Sequence, residues 1–263
     1  MFLQTGYTHL LADDELCRRG PRSKEGFAVA VKDLLRPLPG VRQISLLRQR
    51  IGFGGSASFW EQRYAGGGWS GPGSYGQLAR GKAEFLNAFV REHSIGSVIE
   101  FGCGDGNQLS LASYPRYIGL DVSKSAIELC IRRFADDGAK SFFLYSGSSF
   151  LDRGGLLSAE LALSLDVVYH LTEDSVFETY MRHLFAAGRR YVIVYATNGV
   201  IRDDAPHVTH RKFSFWVDAN MPEWRLKRVC KGPGTGLRAA DFHVYERNDN
   251  EADGSAASGD GSP

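Results

Sequence analysis

The stretch Glu100-Phe-Gly-Cys-Gly-Asp-Gly106 follows an apolar run and places Gly102, Gly104 and Gly106 at alternate positions. One glycine at a strand end marks a tight turn. Three in alternation, with Glu100 ahead and Asp105 within, suit a loop whose bare backbone lies against a ligand. Asp121 follows Gly102 by 19 residues and ends a second apolar run, YIGLD. A carboxylate there can accept hydrogen bonds from two adjacent ribose hydroxyls, which points to a nucleotide-like cofactor. A dinucleotide loop reads G-x-G-x-x-G and aims a helix N-terminus at a pyrophosphate. Here two carboxylates would repel a pyrophosphate and favour a ligand that carries an ammonium and a sulfonium.

Strand and helix signals alternate around these residues. SVIEFG, RYIGLD, KSFFLYS, LALSLDVV and RRYVIVYATN read as strands, and NQLSLASYP, SKSAIELCIRRFADDG and TEDSVFETYMRHLFAAG as helices. In the second of these helices Ile127, Cys130, Ile131 and Phe134 share a face, and Ser125 with Glu128 can form a capping box. In the third, Phe177, Tyr180, Met181, Leu184 and Phe185 point inward and Gly188 is the C-terminal stop. WRLKRVC and ADFHVYER read as two further strands, the antiparallel close of a mostly parallel sheet. The expected fold is α/β: a seven-stranded, mostly parallel sheet flanked by helices with an antiparallel closing strand.

Ahead of that sheet, a helix from Gln77 carries Leu78, Phe85, Leu86, Phe89 and Val90 as its apolar stripe. Residues 1–57 read as an N-terminal arm or cap, with Leu46, Leu47 and Ile51 on one helical face. Residues 58–247 form the main domain. Its first part, 58–76, is a lid in which Gly66, Gly67, Gly68, Gly71 and Gly73 deny regular structure while Trp60, Tyr64, Trp69 and Tyr75 offer contact surface. The tail over 248–263 lacks anchoring apolar residues and is expected to be disordered.

Residues 97–198 resemble a class I S-adenosylmethionine-dependent methyltransferase, with a Rossmann-like fold. VIEFGCGDG is similar to the family's glycine motif, YIGLDVS to its ribose motif and LSLDVVYHL to the motif after the fourth strand. The resemblance implies S-adenosyl-L-methionine as cofactor. It implies that Gly102, Gly104 and Gly106 let the backbone approach the methionine and ribose parts, with Glu100 steadying the loop or the amino group. Asp121 would bind ribose hydroxyls and Val122 would pack on adenine, with Tyr145 and Ser146 near the adenine edge. The family often has an acidic residue where Ser146 stands. Asp166, Tyr169 and His170 would fall near the transferred methyl, Asp166 also near the cofactor. His170 is the general-base candidate, since an ordinary imidazole pKa near 6.5 suits neutral pH. Tyr75 would reach the cofactor carboxylate or the acceptor, with Arg63 as a charged alternative.

For the acceptor, His207, His210 and Arg211 in PHVTHRKF, together with Trp69 of the lid, suit a polyhydroxyl or anionic group. The His-x-x-His spacing has no third ligand nearby, so no metal is expected. The chain lacks the Asp/Asn-Pro-Pro-aromatic turn of adenine-methylating enzymes and the Pro-Cys nucleophile of cytosine-carbon enzymes. Its 263 residues carry a formal charge of +1 and no basic tract besides RQISLLRQR, so nucleic acid is a disfavoured partner. A small-molecule or glycan acceptor fits better. The alternatives are a non-catalytic cofactor-binding protein, an RNA methyltransferase and a nicotinamide-dependent oxidoreductase. Cys17, Cys103, Cys130 and Cys230 show no paired spacing, which favours neither a zinc site nor a disulfide framework. With no long apolar run and no leader-like start, a cytoplasmic location is expected.

Overall fold

The structure is a computed structural model that describes residues 54–201, 203, 205–236 and 239–248. Residues 1–53 of the expected arm over 1–57, with its Leu46, Leu47 and Ile51 face, and residues 249–263 of the expected tail over 248–263 lie outside the described residues.

Among the described residues, β1 (Val98–Phe101), β2 (Tyr117–Asp121), β3 (Lys140–Leu144), β4 (Ala159–Leu165), β5 (Gly188–Ala196), β6 (Trp224–Lys231) and β7 (Asp241–Arg247) form one sheet in the order β3-β2-β1-β4-β5-β7-β6. The five strands from β3 to β5 pair in parallel. β7 runs antiparallel to both its neighbours and is inserted between β5 and β6. Among the described residues, five helices accompany the sheet: α1 (Ser56–Ala65), α2 (Gly76–Glu92), α3 (Lys124–Arg133), α4 (Asp174–Ala187) and α5 (Phe213–Asn220).

β1 is apolar except for Glu100, and all four of its residues are buried, as a strand covered on both faces requires. Alternation along each strand divides the core in two. Ile99, Ala162, Val192 and Val194 face Phe177, Met181 and Leu184 of α4. Val98, Leu161, Leu163 and Ile193 face Leu86 and Phe89 of α2 and Ile127 of α3.

Several local expectations are corrected. The lid is not irregular throughout, because FWEQRY belongs to α1 and the glycine-rich break begins at Gly66. NQLSLASYP holds only a single 3₁₀ turn, Leu109–Leu111. The N-cap of α3 is Ser123, whose hydroxyl accepts from the N–H of Ala126, while Glu128 faces Lys124 and Arg132 on the surface. The helix starts two residues too early for Ser125 to cap it. Ile131 is 52% exposed because the buried arc of α3 runs through Ala126, Ile127 and Cys130, and Ile131 falls beyond its edge. Gly188 is no left-handed stop: with φ −81 the chain passes straight from α4 into β5. Cys230 is disulfide-bonded, contrary to the reading of cysteine spacing, because spacing along the chain does not report which cysteines the fold brings together.

The α4 residue Tyr180 ties this framework to the ends of two strands. Its buried hydroxyl lies 3.0 Å from the carbonyl of Phe101 and 2.7 Å from the hydroxyl of Ser164. Replacing Tyr180 with Phe strands both groups and is expected to cost roughly 1–2 kcal/mol in urea unfolding. An unchanged unfolding midpoint would show that the ends of β1 and β4 are held by other means.

Candidate functional site

The loop after β1 needs its glycines for two reasons. Gly102, Gly104 and Gly106 have φ of 84, 58 and 74, all in the left-handed region. A Cβ on Gly102 would also lie 2.4 Å from Val167 Cγ2, and one on Gly104 would lie 2.4 Å from Ser70 Oγ. The loop is thereby pressed between the turn after β4 and the lid. Its shape is locked to β2: Gly104 N donates to Asp121 Oδ2 at 2.9 Å, and Ser123 N donates to Asp121 Oδ1 at 2.9 Å. Each oxygen of Asp121 keeps a lone pair. Burial pushes this carboxyl up to about 6. Glu100 is buried beneath the loop, accepts from the hydroxyl of Tyr117 at 2.7 Å and is pushed up to about 7, again by burial.

The turn after β4 carries the second set of groups. Asp166 adopts φ 60, unusual for a residue with a side chain, and both its oxygens are engaged. Lys82 Nζ lies 2.6 Å from Oδ2, and the Tyr169 hydroxyl donates to Oδ1 at 2.8 Å. Lys82 is fully buried in the apolar face of α2. His170 Nδ1 is 2.9 Å from the carbonyl of His207. A carbonyl only accepts, so Nδ1 carries the proton. Burial pulls the imidazole down to about 4, which leaves it neutral with Nε2 as a bare acceptor.

Both sets open into one cavity of about 610 Å³ at the carboxyl ends of β1 to β4, covered by α1 through Trp60 and Tyr64. Ligands of open α/β sheets bind at this position. Gln108 adds an unusual feature to the wall: its amide nitrogen donates to Ala79 O, while its buried Oε1 has no hydrogen-bond partner among the described residues.

No protein-family model matches the chain. A small RNA 2'-O-methyltransferase of Arabidopsis thaliana is 25% identical over 163 residues, which are 56% of this chain and 17% of the relative. The chain therefore spans less than a fifth of that curated relative. Among solved structures, the N-methyltransferase NodS from Bradyrhizobium japonicum WM9 in complex with S-adenosyl-L-homocysteine superposes with a TM-score of 0.57 at 15% identity, over 74% of this chain and 99% of that one. The methyltransferase domain of bacterial CtHen1-C gives 0.52 at 23% identity, over 64% and 97%. Magnesium protoporphyrin IX methyltransferase (ChlM) from Synechocystis PCC 6803 gives 0.52 at 12%, over 79% and 95%. The fold is that of the class I methyltransferases.

Within this methyltransferase fold, the expected residues Glu100, Gly102, Gly104, Asp121, Val122, Ser146, Asp166 and His170 all line the cavity. Gly106, Tyr169, Tyr75, Trp69, His207, His210 and Arg211 do not. The hydroxyl of Tyr75 donates to Asp105, and Trp69 packs edge-on to Tyr75 with 42% of its surface exposed. Arg211 spends its guanidinium on the carbonyls of Leu171 and Thr172 and on Asp174. His210 bonds Thr197 Oγ1 at 2.6 Å, and His207 stacks on Phe59 and on His170. These three therefore brace the turn that carries His170.

The lid is fastened by carboxylates. Asp105 Oδ2 accepts from Ser70 N and from Tyr75, Glu61 accepts from the hydroxyls of Ser123 and Ser125, and Glu173 Oε1 accepts from Ser56 N at 2.9 Å. Sequence reading placed Lys82 on the helix before the first strand but gave no role to it, to Gln108 or to Glu173. For Lys82 a signal existed, a lysine in register with Ala79, Ala83 and Leu86 on a core-facing stripe.

Because Glu100 is raised when folded, its protonated form stabilises the fold below about 4.5, and that contribution disappears as pH rises through about 7. Thermal unfolding of the ligand-free protein should therefore show the wild type losing stability relative to Glu100→Gln across this window. A constant difference between the two would place Glu100 in contact with solvent.

Proposed function

We propose that this protein transfers a methyl group from S-adenosyl-L-methionine to a small polar acceptor, such as a sugar, glycan or metabolite hydroxyl or amine. The observation that carries the reading is the cavity's polar wall. The unpartnered Oε1 of Gln108 and the carboxyl of Glu100 suit a ligand ammonium, and the two remaining lone pairs of Asp121 suit a ribose diol. The solved neighbours named with S-adenosyl-L-homocysteine support the same cofactor.

When bound, the cofactor supplies a methyl group made electrophilic by its sulfonium. This chain's residues do the rest. Val122 and Ser146 line the cavity and would hold the adenine, Val122 by an apolar face and Ser146 by its hydroxyl. α1 excludes water through Trp60 and Tyr64, which favours an in-line displacement between aligned, desolvated reactants. Asp166, held by Lys82 and Tyr169, fixes the turn. His170 receives the acceptor's proton at Nε2.

A second reading, an RNA acceptor, is favoured by the Arabidopsis relative. Incubation with methyl-labelled cofactor, a metabolite fraction and an RNA fraction separates the two. Label in the metabolite fraction is expected, and label confined to RNA would overturn the small acceptor. In the same assay His170→Ala should slow transfer by about a hundredfold or more while binding of S-adenosyl-L-homocysteine is spared. Asp121→Ala should weaken that binding by about 1–3 kcal/mol through unpaired hydroxyls. Full turnover in the His170 variant would remove it as the base.

A further inference from the structure

The cavity's charge narrows the acceptor. Among the described residues that line it are four carboxylates, Glu100, Asp121, Asp166 and Glu173, and no lysine or arginine. Three of the four are accounted for. Asp166 is matched by the ammonium of Lys82 at 2.6 Å. Glu100 and Asp121 stand at the ends of β1 and β2, beside the glycine loop. Glu173 stands apart, at the N-cap of α4 on the β4 side of the cavity.

Its hydrogen-bond donors are neutral: Ser56 N to Oε1 at 2.9 Å and Thr172 Oγ1 to Oε2 at 3.0 Å. Burial acts to raise this carboxyl, but the hydrogen bonds outweigh it and hold the group below the usual carboxylate range, so it is ionised at neutral pH. Arg63, the cation of the lid, donates to the carbonyl of Trp69, lies over the Trp60 ring and is absent from the cavity wall, and Arg211, held by the Thr172 carbonyl and Asp174 on either side of Glu173, is absent from it too. An ionised carboxylate at a cavity wall with only neutral partners attracts a cation and repels phosphate and carboxylate.

Two further groups open into the same space. The indole of Trp60, which can attract a cation through its ring, meets His170 edge-on at 4.9 Å. The Nε2 of His170 carries no proton, because its Nδ1 donates to the His207 carbonyl. Resting on the methyl-transfer reading above, we infer that the acceptor is a primary or secondary amine, drawn in as its ammonium by Glu173. The ammonium passes one proton to His170 Nε2. The freed nitrogen lone pair then forms the new C–N bond as the methyl–sulfur bond breaks and its electron pair returns to sulfur. The products are a methylated ammonium, a thioether and an imidazolium, which releases its proton to water. An amine suits this base because a lone imidazole that burial keeps neutral is a weak proton acceptor for an aliphatic hydroxyl.

The test uses the full chain saturated with S-adenosyl-L-homocysteine, titrated calorimetrically with two matched series: phenethylamine, phenethyl alcohol and phenylacetate, then glucosamine, glucose and glucuronate. The expected result is that at least one amine binds roughly tenfold or more tighter than its alcohol and carboxylate counterparts, as a paired charge in a screened cavity requires. Glu173→Gln, which keeps an acceptor for Ser56 N, should erase that preference. Equal or tighter binding of the alcohols or carboxylates, no amine binding, or an unchanged preference in Glu173→Gln would overturn the amine assignment and leave methyl transfer standing. If S-adenosyl-L-homocysteine itself failed to bind, the methyl-transfer reading would fall first and the amine with it.

Discussion

The hydrogen bond from Gly104 N to Asp121 Oδ2 is the contact on which the site depends. It joins the loop after β1 to the end of β2, and it forms only because Gly104 can take a left-handed conformation with no Cβ against Ser70. The next residue, Asp105, turns its carboxylate the other way and receives Ser70 N and the Tyr75 hydroxyl. One short loop thus shapes the cavity floor on one side and anchors its cover on the other. A change in the loop's backbone is transmitted to both.

Charge is distributed around this loop so that the cavity wall is under electrostatic load. Burial pushes Glu100 up to about 7 and Asp121 up to about 6, so each carboxylate is held against a desolvation cost. The buried Lys82–Asp166 pair offsets part of the load and clamps α2 to the turn after β4. Breaking one partner of such a pair leaves an uncompensated buried charge, a more serious defect than losing both. A cation placed against this wall would offset the remaining excess.

Much of the fold was legible because its period is physical. Short runs rich in β-branched and aromatic residues, such as YVIVYA, read as strands covered on both faces, and Phe177, Tyr180, Met181, Leu184 and Phe185 repeat as a helix buried on one face demands. The glycine loop and Asp121 were legible from spacing. The hydrogen-bond partners of Tyr75, His210 and Arg211 were not. Composition shows that a side chain can bind a ligand, but not whether nearby carbonyls and carboxylates have already taken its donors, as Leu171, Thr172 and Asp174 do for Arg211. Glu173 escaped notice for the opposite reason. It reads as an ordinary N-terminal helix carboxylate, and only the fold brings it against Ser56 and the cavity.

The central claim is that this loop and Asp121 hold S-adenosyl-L-methionine. Calorimetric titration of the purified protein with S-adenosyl-L-methionine, its demethylated product and NADH in parallel tests it most directly. Micromolar-range binding of both sulfur compounds with none of NADH is the expected result. A folded sample that ignores both, or that binds NADH instead, would contradict it.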